Sequence, residues 1–383
     1  MSHQIKQFIT QNQDLLLTTL KELCEIPAPS HGEQKRAEYC RDWLWKHGAT
    51  TAYIDEALNV VYEHYCESET PVTLFCAHTD TVFPDTQPMP YVDDGQKIHC
   101  PGVADDTASV AVLLLTVKYY LEHPHTASAV LFVFNSCEEG LGNLKGIRHI
   151  FKTHGDRIGQ AVSFDSELGV INDCCVGSHR YRVEVTTEGG HSFEEFGKTN
   201  AIAVLSNIVS DLYKIPVLQK DGIRTTYNVG TMEGGTSVNT IAQTASMLCE
   251  YRSNDADCME QMRESFFKVF DKWNSHDAAV TVTMVGERPC STTPRHKVIA
   301  LRDAASAVIE KVTNRPVLFE SASTDCNIPL SLGIPAICVG VNHHHGIHTR
   351  EEWVEKASLA KGLEIAIDLA RSAYNAPTDE EKA

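Results

Sequence analysis

Acids and imidazoles recur in short clusters along this chain. The stretch HTD carries His78 and Asp80, GVADD carries Asp105 and Asp106, SCEEG carries Glu138 and Glu139, and SFDSE carries Asp165. A late run, HHHGIHTREEWV, offers His343, His344, His345 and His348. Carboxylates gathered in one buried place repel one another unless cations neutralise them. Imidazole with carboxylate is a common ligand set for Zn²⁺ and related divalent ions. The clusters hold enough ligands for two ions that share one bridging acid. In two-metal hydrolytic sites such ions lie ~3.5–4 Å apart with a water between them. Each piece alone has a plain structural reading: Asp and Ser open turns, and paired Glu after a strand is often solvated. It is the ordered recurrence that points to metal chemistry.

Every cluster stands where an apolar run ends. PVTLFCAHTD (71–80), SAVLFVFNSCEEG (128–140) and QAVSFDSE (160–167) read as buried strands that emerge into acid. IPAICVG (334–340) is a further apolar strand, and DDTASVAVLLLTVKYYLEH (105–123) reads as a helix starting near Asp106 or Thr107. Runs that are apolar throughout imply a sheet covered on both faces by helices. Ligands of such sheets collect beyond the carboxyl ends of the strands. From about 179 to 287 the texture changes to alternating strands and amphipathic helices in the order β-α-β-β-α-β, which predicts an inserted ferredoxin-like unit. The expected organisation is therefore α/β. A domain of residues 1–178 and 288–383 carries the clusters, and 179–287 is an insert. The tail PTDEEKA is expected to fray.

A chain of 383 residues exceeds one compact core, which agrees with two domains. The net charge of −18 argues against nucleic acid or an anionic membrane as partner. There are 13 cysteines, an odd number with no C-x-x-C spacing, and many lie in apolar segments, as Cys76, Cys137, Cys249 and Cys338 do. This is the pattern of reduced thiols in a cytoplasmic protein, and not of a disulfide framework. The first residues lack a basic start followed by an apolar core, so no signal peptide is expected. The strongest apolar run, VAVLLL, is far too short to span a bilayer.

Taken in order, these motifs resemble the dinuclear-zinc exopeptidases and deacylases. That family includes peptidase T, bacterial glutamate carboxypeptidase, aminoacylase and succinyl-diaminopimelate desuccinylase. AHTDTVFP is similar to the first metal motif, PGVADDTAS to the bridging-Asp motif and SCEEGLGN to the paired-Glu motif. GGHSFEEFGKTNAI and GGTSVNTIAQTASMLCEYRS are similar to the lid motifs, and HTREEWV to the final metal motif. The resemblance covers nearly the whole chain. It implies a zinc-exopeptidase catalytic domain, with the mixed, largely parallel sheet, and a ferredoxin-like insert that serves as lid and dimerisation domain.

The resemblance also implies roles. His78 would bind one metal, with Asp80 behind it fixing the imidazole. Asp105 would bridge both metals and Asp165 would complete the first. Glu139 and His348 would complete the second, and Glu138 would be the general base. His191 would be a lid histidine that reaches a neighbouring subunit's site and stabilises an oxyanion. Asn239 and Arg252 would hold the substrate's polar end. Thr107 stands where the family often has Lys, and His345 competes with His348 for the last ligand position. His348 is preferred because Glu352 and Trp353 follow it at the family's spacing. The implied cofactor is a pair of divalent ions, Zn²⁺ by default, with Mn²⁺ or Co²⁺ also suited to carboxylate-rich ligands. The implied enzyme is a homodimeric metallopeptidase acting on short peptides, and the lid and tail favour an aminopeptidase on di- or tripeptides. An N-acyl-amino-acid amidohydrolase or a carboxypeptidase would use the same site. A non-catalytic metal-binding protein would have no use for Glu138.

Overall fold

The computed structural model describes residues 2–65, 71–123, 129–217 and 220–372. The tail at 377–383 lies outside them. The chain divides into two compact units, Met1–Cys175 with Thr292–Ala383, and Val176–Ser291. The second is a few residues wider at each end than 179–287, because its first strand starts at Gly177 and its last ends at Arg288.

The first unit is built on an eight-stranded sheet. Its order is Tyr53–Ile54, Val60–His64, Val130–Asn135, Val72–His78, Ile158–Leu168, Ala336–Gly340, Val170–Cys175 and Leu318–Ala322. The four strands from Val130–Asn135 to Ala336–Gly340 run parallel. Antiparallel pairings flank them on both sides, so the sheet is mixed. Val72–His78, Val130–Asn135 and Ala336–Gly340 are buried at every position. That is why they carry no polar alternation: both of their faces are covered. Phe75 packs against Phe164 and Phe132 on the neighbouring strands, with ring centroids 5.8 and 6.3 Å away. Burying each such ring stabilises the fold by about 1.5–3 kcal/mol.

The helix Ala108–Glu122 packs on this core together with Ser2–Cys24 and Lys356–Ser372. It begins at Ala108, later than the sequence predicts. Asp105 and Asp106 have non-helical backbone angles in the irregular turn Val103–Thr107, and their side chains are committed to the site described below. A second, small antiparallel sheet joins His344–His345, Trp353–Glu355, Lys97–His99 and Val92–Asp93. The connection between its first two strands carries His348. Among the described residues, no helix is long and apolar enough to cross a membrane, and the cysteines are free.

The second unit is a four-stranded antiparallel sheet in the order Thr225–Gly234, Thr244–Ser253, Gly177–Thr186, Ala279–Arg288. With the helices Ala201–Leu212 and Ala256–Trp273 it forms the ferredoxin-like βαββαβ arrangement. Alternate residues of Gly177–Thr186 and Thr244–Ser253 are buried. They pack with Leu205, Ile208, Met262 and Phe266 into a core of the unit's own. Side chains start both helices: Asn200 accepts from the Ile202 N–H at 2.9 Å and Asp255 from the Cys258 N–H at 2.9 Å.

Candidate metal centre

The parallel strands deliver their terminal residues to one place. His78 ends Val72–His78 and lies in register beside Asn135, the last residue of Val130–Asn135. The chain beyond Asn135 turns through Ser136 and Cys137 to Glu138 and Glu139, both nearly buried. Asp165 lies on the next strand, Ile158–Leu168.

Asp105 connects the two halves of the centre. One of its carboxylate oxygens is 3.0 Å from His78 Nε2 and the other is 3.0 Å from His348 Nε2. Ligand atoms of His78, Asp105 and Asp165 lie within 4.8 Å of one another, and so do those of Asp105, Glu139 and His348. The two triads share Asp105. Glu139 Oε1 is 3.3 Å from His348 Nε2 but has no hydrogen-bond partner among the described residues. Burial, and then the charge of Asp105, pushes the Glu139 carboxyl up to about 7. The same two causes raise Asp165 well above the carboxylate range. A buried carboxylate oxygen without a donor, among acids that raise one another, is what a bound cation satisfies. Two imidazoles and three carboxylates, one of them shared, fit two divalent ions.

Glu138 belongs to neither triad, and its backbone shows how it is held. Asp80, fully buried, accepts the Glu138 N–H at 2.9 Å, the Glu139 N–H at 3.0 Å and the Ser30 hydroxyl at 2.7 Å. Its carboxylate is 3.4 Å from His78 Nδ1, and its backbone carbonyl is nearer, at 3.1 Å. So Asp80 lies against the His78 ring with both its main-chain carbonyl and its carboxylate, and the same carboxylate fixes the paired acids. Burial alone would raise the Asp80 carboxyl, but the hydrogen bond and charge of His78, with the Ser30 hydroxyl and the Glu139 N–H after them, outweigh that and hold it below the usual range.

A second buried acid fixes the bridging turn. The Glu352 carboxylate accepts the N–H groups of Gly102, Ala104 and Asp105 at 2.8, 2.7 and 3.1 Å. Asp106 accepts the His78 N–H at 3.0 Å. Thr107 lies under the turn, bonded to the Gly102 carbonyl and to the guanidinium of the buried Arg36. Asp325, which donates nothing to either triad, accepts from the Asn135 amide at 2.7 Å. Burial and then the nearby charge of Glu138 push it up to about 7. Asp325 stands in none of the sequence motifs, and Glu352 enters them only through its spacing from His348. The one sequence signal for Glu352 was an acid four residues after His348 with no ligand role left to fill.

The late histidines separate by environment. His348 reaches Asp105 and Glu139 from a left-handed backbone position, φ 64°. His345 lies 5.9 Å from the Trp353 ring, and His343 bonds Glu167; neither is in a triad. In the insert, His191 is exposed and its backbone N–H donates to Glu195 at 2.8 Å. Asn239 accepts from the Ser237 hydroxyl at 2.7 Å, also on the surface. The Arg252 fork is engaged by Glu250, at 2.7 and 3.1 Å.

The sequence profile described as peptidase family M20/M25/M40 matches residues 74–372. A putative succinyl-diaminopimelate desuccinylase, DapE, of Mycobacterium tuberculosis is 26% identical over 357 residues, 91% of this chain and 95% of that protein. Among solved structures, a tripeptidase from Staphylococcus aureus superposes with a TM-score of 0.74 at 22% identity, covering 94% of this chain and 99% of its own. The di-peptidase Dug1p from Saccharomyces cerevisiae gives 0.76 at 14% identity, covering 98% and 100%. With a profile match that takes in all the clusters on the parallel sheet and both lid motifs, the chain belongs to peptidase family M20/M25/M40, and it is a metal-dependent hydrolase of that family.

Proposed function

We propose that this protein is an aminopeptidase acting on di- and tripeptides through a dinuclear zinc centre. The observation that carries the two-metal hydrolase part of the reading is Asp105 set between His78 and His348, 3.0 Å from each, with Glu138 beside the triads and outside both. His78, Asp105 and Asp165 would hold one ion; Asp105, Glu139 and His348 the other. Divalent ions so held supply Lewis acidity toward a carbonyl and a water. The chain's own residues do the rest. The Glu138 carboxylate accepts a proton from the attacking water and returns it to the leaving nitrogen. Asp80 keeps Glu138 aimed by fixing its backbone. Asn239 and Arg252 hold the peptide's polar end, Arg252 exchanging Glu250 for a substrate carboxylate. His191 stabilises the oxyanion that forms at the carbonyl.

The tripeptidase and di-peptidase among the similar structures support a short-peptide substrate. The desuccinylase among the relatives favours a second reading, removal of an acyl group from an amino acid, by the same residues. One panel separates them. A free tripeptide, its N-acetyl form and its C-amide are incubated with the protein, with and without chelator. An aminopeptidase cleaves the free and amidated forms faster than the acetylated one, and chelator stops it. Preference for the acetylated compound moves the reading to a deacylase or carboxypeptidase. Free buried thiols support a reducing, cytoplasmic setting. The insert would provide a homodimer contact.

A further inference from the structure

We propose that Glu33, a residue of the loop between the first two helices, is a positioning residue for Glu138 and Glu139, acting through Cys137. The turn after Asn135 belongs to no helix or strand, so its N–H groups depend on side chains. Four consecutive ones are taken this way. Ser136 donates to Asn59 at 3.0 Å, Cys137 to Glu33 at 3.0 Å, and Glu138 and Glu139 to Asp80 at 2.9 and 3.0 Å. Among them Cys137 has the unfavourable backbone: its φ is 55°, a left-handed conformation that residues with side chains rarely adopt.

Glu33 is where that conformation is tied down. One oxygen of its fully buried carboxylate accepts the Cys137 N–H, the Cys137 thiol at 3.1 Å and the His31 N–H at 3.0 Å. Its other oxygen has no hydrogen-bond partner among the described residues. A carboxylate accepting backbone N–H groups is a strong, directional tether. If it is removed, Cys137 can relax toward the right-handed region, and the directions of Glu138 and Glu139 change with it. His78, Asp105 and Asp165 do not hang from this turn. The effect should therefore fall on one metal position and on the base, while the other metal position is spared. A general loss of stability would not discriminate in that way.

This rests on the assignment of Glu138 and Glu139 to the dinuclear site, and metal uptake tests it independently of activity. Metal-free protein is titrated with Zn²⁺ against a chromophoric chelator, with folding followed by thermal melting. Wild type should take up two ions. Glu33→Ala should keep one at wild-type affinity and bind the other ~10–100-fold more weakly, the range for loss of a supporting contact behind a ligand. Peptide turnover should fall in kcat with KM within about threefold. Glu33→Gln retains the acceptor oxygen and should restore both readouts. Adding Cys137→Gly to Glu33→Ala should recover much of the loss, because glycine takes the left-handed conformation without a tether.

The proposal is overturned if Glu33→Ala binds both ions and turns over as wild type does. It is also overturned if both ions weaken equally, or if neither Glu33→Gln nor Cys137→Gly restores anything. Wild-type uptake of fewer than two ions would sink the ligand assignment and this proposal with it. Uptake of two ions without hydrolysis of any peptide would instead remove only the aminopeptidase reading, and the titration would still decide Glu33.

Discussion

At the scale of single residues, the centre separates the proposed ligands from the proposed base by what each carboxylate touches. Glu139 joins Asp105 and His348, whereas Glu138 joins neither triad. Glu138→Gln is therefore expected to keep metal content near wild type while turnover drops ~10²–10⁴-fold, the usual size of a general-base contribution. Hydrolysis within threefold of wild type would remove Glu138 from the mechanism. Asp105 belongs to both triads and Asp165 to one. Asp105→Ala should thus lose both ions on dialysis, and Asp165→Ala should weaken only the ion that His78 holds. Two tightly held ions in Asp105→Ala would contradict the shared bridge. In the parallel comparison, His348→Ala should lose metal and His345→Ala should not, since His345 packs on Trp353.

At the scale of elements, the site depends on turns that follow strands and have no ladder of their own. The Gly102–Asp105 turn is the clearest case, because three of its N–H groups point into one buried carboxylate, Glu352. In Glu352→Gln one oxygen becomes an NH₂ group, which cannot accept the Gly102 N–H. Leaving that donor buried and unpaired costs about 1–3 kcal/mol. The denaturation midpoint should fall accordingly, and metal affinity should fall with it because Asp105 is on the same turn. An unchanged midpoint would show that the turn holds without the clamp. The central strands are a different matter. Continuous burial along Val72–His78 and Val130–Asn135 makes them insensitive to single changes at the site, so the ligand variants should fold.

At the scale of the whole molecule, the insert has its own sheet and core. Its strand Thr225–Gly234 lies at the edge of the sheet and is largely exposed, and an unpaired strand edge favours association with another chain. For the proposed homodimer joined through the insert, with His191 serving the partner's centre, a complementation test is decisive. His191→Ala and Glu138→Ala subunits, each inactive alone, are mixed and allowed to exchange. One intact site per mixed dimer should return, giving activity toward half the wild-type site set. Exchange proven by mass without any return of activity would place His191 in its own subunit's reaction or outside it. A fully active monomer would remove the dimer from the account.

The sequence by itself determined the order of the acid and histidine clusters, their positions at strand ends, the α/β class and the ferredoxin-like insert. These are local properties: an apolar run that stops in acid, or an alternation that starts near residue 179, is written in adjacent residues. Only the tertiary structure decided what joins across the chain. It brought His348 to Asp105, 243 positions earlier in number, and left His345 on Trp353. It turned Asp80 toward the backbone of Glu138 and Glu139, made Glu352 the clamp of the bridging turn, and started the following helix at Ala108. The physical reason is common to all of these. A buried N–H or carboxylate takes whichever partner the packed strands bring within about 3 Å, and neither residue type nor spacing reveals that partner before the sheet is assembled.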